Sequence, residues 1–124
     1  MRNRFDEHLN KHSQYIPVFT DGSKSVEGVG LAVIFPDSHE KRHLPSETRI
    51  YSAELYAILI ALQRIYTMTD LAFVIVWDSR SALTVMEAFN AHHPLVLEIQ
   101  EWLFLLSMKQ KNIQFCWVPS HVGV

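Results

Sequence analysis

The sequence predicts an α/β domain built on a mixed β-sheet. Three β-type segments come first, and helical and β-type segments alternate after them, in the order β-β-β-α-β-α-α-β. Early strands with short links favour an antiparallel meander, whereas strands separated by helices favour parallel pairing. The 124 residues suffice for one compact domain, and a hydrophobic content of 48% with 19% charged residues excludes a disordered chain.

The three early segments have β-strand character. Residues 15–20 (YIPVFT) and residues 28–35 (GVGLAVIF) are rich in aromatic and β-branched side chains, and a weaker third strand is predicted at residues 41–44. Residues 1–13 are polar, carry charges of both signs and are interpreted as a leader or linker. The domain is therefore expected to span residues 14–124.

The rest of the chain predicts three helices and two strands. A first helix is expected to begin with Ser52 as its N-cap, and strong helix formers continue through residues 53–68. The remaining elements are, in order, a buried strand at residues 71–77, a helix at 80–89, a helix at 95–109 that Pro94 starts, and a last strand at 113–118.

Composition excludes several classes of protein. A net charge of -2, from 11 Lys+Arg and 13 Asp+Glu, argues against binding to nucleic acid through bulk positive charge alone. The single Cys116 excludes internal disulfides and a cysteine-rich zinc site, and this thiol is expected to be buried. No apolar run approaches the ~20 residues of a membrane span, and no signal peptide is visible. A monomeric protein of the cytoplasm or nucleus is expected.

Three acidic residues stand at positions suited to chemistry. Asp21 directly follows the first predicted strand, Asp78 ends the most hydrophobic strand, and Glu54 lies in the first turn of the first predicted helix, on its apolar face. A carboxylate on an apolar face must be paired, protonated or bound to a metal, because burying it alone is expensive. If the first and fourth strands are neighbours, the three carboxylates converge and favour Mg²⁺ or Mn²⁺.

Each of these residues also has a structural interpretation. Asp21 with Gly22 is typical of a turn after a strand. Glu54 would interact favourably with the positive end of its helix, and Asp78 would cap the next helix. The spacing of the three carboxylates favours the metal site over these separate interpretations.

Five segments resemble, in the family's order, successive blocks of a ribonuclease H (type I) domain. They are FTDGSK (19–24), GVGLAVIF (28–35), YSAELYAILIAL (51–62), VWDSRSAL (76–83) and FCWVPSHVGV (115–124). The likeness is greatest to the domains attached to reverse transcriptases of non-LTR retrotransposons. It implies a ribonuclease H-like three-layer fold, whose five-stranded mixed sheet has three antiparallel strands followed by two parallel strands and is flanked by helices.

The same resemblance implies endonucleolytic hydrolysis of the RNA strand of an RNA–DNA hybrid, with two Mg²⁺ or Mn²⁺ ions and 5′-phosphate products. Asp21 would bridge both ions, Glu54 would hold the ion near the leaving group, and Asp78 the ion that carries the nucleophile. His121 matches the histidine on the family's mobile loop, where it assists proton transfer or product departure. The other histidines are expected to have no functional role.

Substrate contacts are implied at seven positions that match the family's nucleic-acid-binding segments. Tyr51 and Ser52 stand where cellular members place asparagines, so their hydroxyls are candidates for contacting the ribose 2′-hydroxyl that separates RNA from DNA. In chain order the seven are Gly22, Ser23, Lys24, Tyr51, Ser52, Ser79 and Arg80.

Two features depart from the family pattern. The fourth metal ligand, an aspartate on a final helix beyond His121, has no counterpart, so the domain is expected to be incomplete at its end. Residues 90–94 carry no lysine or arginine, although some cellular members have a basic protrusion there. Both departures predict weak binding of the hybrid by this chain alone.

Three functional alternatives remain from the sequence. The first is a metal-dependent endoribonuclease, with a reverse transcriptase domain of the same parent polyprotein as a partner. The second is a retroelement remnant that binds nucleic acid without efficient cleavage. The third is another nuclease or transposase of the same fold class, which the WVPSH block and the glutamate of the first helix disfavour.

Overall fold

The computed structural model of the protein describes residues 14–119 and contains the eight elements that the sequence predicts, in the predicted order. The strands are β1 (Ile16–Ser25), β2 (Gly28–Phe35), β3 (Ser38–Leu44), β4 (Ala72–Asp78) and β5 (Asn112–Val118). The helices are α1 (Ile50–Thr67), α2 (Ser79–Asn90) and α3 (Pro94–Met108).

The strands form one mixed sheet in the order β3-β2-β1-β4-β5. The β1–β2 and β2–β3 pairs are antiparallel, and β4 pairs parallel with both β1 and β5. This arrangement confirms the predicted sheet of three antiparallel strands followed by two parallel ones. It also places β1 and β4 side by side, which is the condition on which convergence of the acidic residues depends.

The main core lies between one face of this sheet and the three helices of the described part. Side chains alternate along each strand, so Val18, Val33 and Ile75 point toward the helices and are fully buried. Helix α1 is buried along most of its length, as expected of a helix that is apolar on nearly all sides. The opposite face of the sheet has a smaller cluster, formed by Tyr15, Val74, Val76 and Cys116.

Three element boundaries differ from the prediction by three residues or more, and one of them is the start of β3, which lies at Ser38 rather than at residue 41. Strand β1 continues to Ser25, five residues beyond its predicted end, because β2 supplies a partner for every residue as far as the Ser25–Gly28 pair. Pairing across the hairpin thus overrides the weak strand propensity of Asp21 and Gly22. Helix α1 begins at Ile50 with Arg49 as its N-cap, so the predicted N-cap role of Ser52 is wrong.

Several side-chain predictions have clear outcomes. Cys116 is buried, as expected. Trp117, on the edge strand β5, is 43% exposed. Within residues 14–119, no helix has both the length and the apolarity needed to cross a bilayer.

Candidate active site

Asp21 and Asp78 lie on adjacent parallel strands. Phe19 of β1 is paired with Val76 of β4, so continuing that register by two residues sets Asp21 opposite Asp78. The two carboxylates are close enough for the charge of Asp78 to contribute to a raised pKa of Asp21. Because Asp21 lies within β1 rather than after it, the interpretation of Asp21 and Gly22 as a turn is wrong.

Gly22 allows α1 to approach β1 beside Asp21. A Cβ atom on Gly22 would lie 2.7 Å from the backbone nitrogen of Glu54 and 2.9 Å from the carbonyl carbon of Ala53, both closer than real contacts allow. The absence of a side chain at this position therefore brings the backbone of α1 against the strand. This approach places the Glu54 carboxylate next to Asp21.

Glu54 is a buried acid, with only 5% of its surface exposed. Since α1 begins at Ile50, Glu54 lies in the second turn rather than in the predicted first turn. Interaction with the helix dipole falls off beyond the first turn, so that interpretation loses its basis. The apolar residues on the same helical face are buried, as predicted.

Ser81 connects two of the three acids. Its hydroxyl donates a hydrogen bond to Glu54 Oε1 at 2.9 Å, and its backbone N–H donates to Asp78 Oδ1 at 2.7 Å. Asp78 is thus the N-cap of α2, as the structural interpretation proposed, and it also faces the other carboxylates. The sequence analysis missed Ser81, although an N-cap side chain accepts from the residue two or three positions into the helix, which identifies Ser81 as a neighbour of Asp78.

Desolvation dominates the electrostatics of the site. Burial raises the pKa of Glu54 to about 7; the Ser81 and Gly22 hydrogen bonds oppose this shift, whereas the charges of Asp21 and Asp78 add to it. Burial also raises the pKa of Asp21, followed by repulsion from Asp78, and the Arg80 guanidinium partly offsets both. A group of this kind gains from binding either a proton or a cation.

The three carboxylates line one cavity of about 300 Å³, which Lys24 and Arg80 also line. Gly22 is part of the same wall, whereas Ser23 lines a separate hollow on the outer side of the β1–β2–β3 sheet. Of the seven predicted substrate residues, the structure thus brings Gly22, Lys24 and Arg80 to the carboxylates. Lys24 also donates to the Thr48 carbonyl at 3.4 Å and so anchors the segment before α1.

The donor chemistry of the cavity suits a hard divalent cation, because carboxylate oxygens are the ligands such ions prefer. Among residues 14–119, however, no three Asp, Glu, His or Cys side chains are spaced to hold one ion together. The arrangement does not fit a single ion enclosed by all three carboxylates.

Two histidines complete the comparison with the sequence analysis. His121 lies outside the described residues. His93, for which no role was expected, accepts a hydrogen bond from the Leu95 N–H through Nδ1 and caps α3. Its Nε2 lies 3.0 Å from Ser52 Oγ, and its ring meets Tyr51 edge to face at 5.3 Å. Tyr51 and Ser52 thus contact the start of α3.

The fold and this site agree with a comparison against protein families, in which the RNase H model matches residues 13–124. The chain belongs to the RNase H family. A search of curated proteins found no match. RNase H domains are hydrolases that cleave the RNA strand of RNA–DNA hybrids, generally with divalent metal ions, so membership supports this general activity and a hybrid substrate.

Proposed function

We propose that this RNase H domain cleaves the RNA strand of hybrids at a two-ion centre formed by Asp21, Glu54 and Asp78, leaving 5′-phosphate ends. The observation that carries the proposal is the common cavity of the three carboxylates, at the carboxyl end of β4 and beside the Gly22 contact with α1. Bound there, the two ions would supply an activated water and would stabilise the leaving oxygen.

The family resemblance supports a division of roles among the acids. Asp21, which lines the cavity with both other carboxylates, would contact both ions. Glu54 would hold the ion on the leaving-group side, and Asp78 the ion on the nucleophile side. Each ion would then have two carboxylates of this chain as ligands.

Other residues of the chain orient the acids and the substrate. Ser81 fixes one oxygen of Glu54 and one of Asp78. Lys24 and Arg80 bring positive charge to the cavity, where a strand's phosphates would lie. Gly22, Ser23 and Ser79 remain proposed substrate contacts, as do Tyr51 and Ser52 for the 2′-hydroxyl. His121 is proposed for proton transfer or product departure.

The five family-like blocks support an RNase H domain of the kind attached to retrotransposon reverse transcriptases. Its proposed partner is a reverse transcriptase domain of the same polyprotein. A second candidate function is nucleic-acid binding without efficient cleavage. One observation favours it: with a pKa of about 7, Glu54 is about half protonated at neutral pH, and its carboxylate already accepts from Ser81.

A cleavage assay with a labelled RNA–DNA hybrid in millimolar Mg²⁺ tests the proposal. Asp21→Asn keeps the shape of the side chain and removes its charge, so cleavage should fall by about 10²-fold or more. Asp37→Asn, in the exposed β2–β3 turn, is the matched control and should cleave at the parent's rate. Equal rates for Asp21→Asn and the parent would place the chemistry elsewhere, and hybrid binding by the parent without cleavage would select the second candidate.

A further inference from the structure

A second cavity, of about 250 Å³, lies between the three helices and the sheet. Side chains of five elements enclose it: all three helices contribute, and strands β4 and β5 supply Trp77 and Phe115. None of its lining residues lines the carboxylate cavity. The two cavities are therefore separate spaces in the fold.

The second cavity nevertheless adjoins the candidate active site. Its lining residue Ile58 follows Glu54 by about one turn of α1, and Val85 follows Ser81 by about one turn of α2. The hydrogen bond from Ser81 to Glu54 joins these two helices at 2.9 Å. The cavity thus lies between the same two helices, one turn beyond the contact that orients Glu54.

The lining of this cavity is entirely apolar. No polar atom of residues 14–119 is exposed to it. A buried water needs two to four polar partners, so a space of this kind stays dry. A charged or strongly polar molecule would lose its hydration there and gain no hydrogen bond in return. Only an uncharged, apolar ligand suits the cavity.

The size and shape of the cavity narrow the class of ligand further. An apolar cavity of about 150 Å³ is large enough to hold benzene, so about 250 Å³ accommodates one six-membered ring with a short alkyl group. Trp77, Phe89 and Phe115 supply aromatic faces and edges, against which another ring packs favourably.

Partly exposed aromatic rings mark the entrance to the cavity. Phe89 is 39% exposed and Phe115 is 38% exposed, whereas Ile58 and Ile99 at the inner end are almost fully buried. The Trp77 Nε1 atom is buried and has no hydrogen-bond acceptor among the described residues, so no bond at this nitrogen fixes the indole. The wall beside the entrance is thus formed by rings that packing alone holds in place.

We propose that this cavity is a second binding site, which takes a small uncharged hydrocarbon ring that carries at most a short alkyl group. The site does not depend on the proposed catalytic function, because the two cavities share no lining residue. A ligand that binds only the folded protein also stabilises it.

Toluene is the probe, and phenol is its matched control because a hydroxyl replaces the methyl group in nearly the same shape. Toluene at ten times its Kd should raise the melting temperature by about 4–8 °C, and its ring should shift the Trp77 indole N–H resonance in ¹H–¹⁵N spectra. Phenol should bind at least about tenfold more weakly, because its hydroxyl finds no partner in the cavity. Equal affinities for the two molecules would overturn the apolar class of ligand, and no response to toluene would overturn the site.

Two tryptophan variants on α3 locate the bound toluene. Leu103 is half-buried and lines the cavity, whereas Leu97 is 62% exposed and does not. Leu103→Trp should fill the cavity and weaken toluene binding at least about tenfold, and Leu97→Trp should bind toluene as the parent does. Val85→Phe fills the same space from α2 and should repeat the loss, so the result does not depend on the folding of one variant. Toluene binding that neither filling variant weakens would place the ligand elsewhere and overturn the inference.

Asp21→Asn separates this inference from the proposed function. The variant should bind toluene with the parent's affinity, since Asp21 does not line the apolar cavity. A loss of toluene binding in Asp21→Asn would assign the ligand to the carboxylate cavity and overturn the inference. A parent that binds toluene in the apolar cavity but cleaves no hybrid would overturn the proposed function and support the inference.

Discussion

Glu54→Gln is expected to stabilise the protein at pH 8 and to change its stability little at pH 4.5. Burial raises the pKa of this carboxyl from 4.5 to about 7, so the folded protein keeps the proton to higher pH than the unfolded chain does. Between these two values the folded state binds more protons. The free energy of unfolding therefore decreases as pH rises through this window, and Glu54 contributes its full penalty above pH 7.

The size of the effect follows from the gap between the two pKa values. A difference of about 2.5 units corresponds to about 3 kcal/mol, because one unit is worth about 1.4 kcal/mol. Glutamine behaves as the protonated acid does, since its amide oxygen can still accept from Ser81. The stability advantage of Glu54→Gln should thus grow from below about 1 kcal/mol at pH 5 to about 3 kcal/mol at pH 8.

Urea unfolding at fixed ionic strength and in a metal chelator measures this difference at each pH. Comparing the variant with the parent cancels groups common to both, including Glu40, whose pKa is lowered by hydrogen bonds and charge interactions with Arg42 and Arg64 despite some desolvation. Glu98→Gln, on an exposed position of α3, controls for the loss of a surface charge. A Glu54→Gln advantage that does not vary with pH, or a variant less stable than the parent at pH 8, would refute the electrostatic account.

Three further predictions concern the same site. Mg²⁺ at ten times its Kd should stabilise the parent against unfolding by about 1.4 kcal/mol. It should bind more tightly at pH 8 than at pH 6, because it competes with protons on Glu54 and Asp21. Thermal scans in which Mg²⁺ does not raise the melting temperature, or raises it equally in Asp21→Asn, would contradict this prediction. Gly22→Ala should lower the free energy of unfolding, measured by chemical denaturation, by about 2–3 kcal/mol. Gly30→Ala should lower it less, because a Cβ atom on Gly30 would lie 3.1 Å from the Arg42 carbonyl oxygen. Equal losses would disprove the close approach of α1 to Gly22. Ser81→Ala should cost about 1–3 kcal/mol at pH 8 and less at pH 5, because its hydroxyl stabilises the charged form of Glu54, and a cost independent of pH would exclude that role.

The sequence predicted the fold class because the buried faces of helices and strands appear in the sequence as a periodic pattern of apolar residues. The bounds of β2 were predicted without error, and β4 was displaced by one residue, since both are apolar runs limited by polar residues or prolines. The end of β1 was not predictable in this way. Its last residues are DGSKS, which have little intrinsic preference for a strand and are extended only because β2 lies beside them.

The same distinction applies to the candidate site: sheet topology could be predicted, whereas contacts between packed helices could not. Asp21 and Asp78 were found because the ends of neighbouring parallel strands meet, which follows from topology alone. The contacts of Ser81 with Glu54 and of His93 with Ser52 join residues 27 and 41 positions apart, and they depend on how helices rotate when they pack. Periodicity identifies the buried face of a helix, but it does not identify the partner of a single hydroxyl or imidazole on another helix.

The raised pKa of Glu54 and the proposed affinity for cations are two consequences of one packing arrangement. Strand β4 ends at Asp78 because that residue caps α2, while β1 continues along β2 past the same level. Gly22 then admits α1 at the place where β1 has lost its neighbour on one side, and Glu54 is desolvated beside two other acids. Proton binding and cation binding both offset the cost of this buried negative charge, so they compete. A protein in which Mg²⁺ affinity rose with pH while the pH dependence of stability without metal was absent would not have this site, because both effects require the same buried carboxylate.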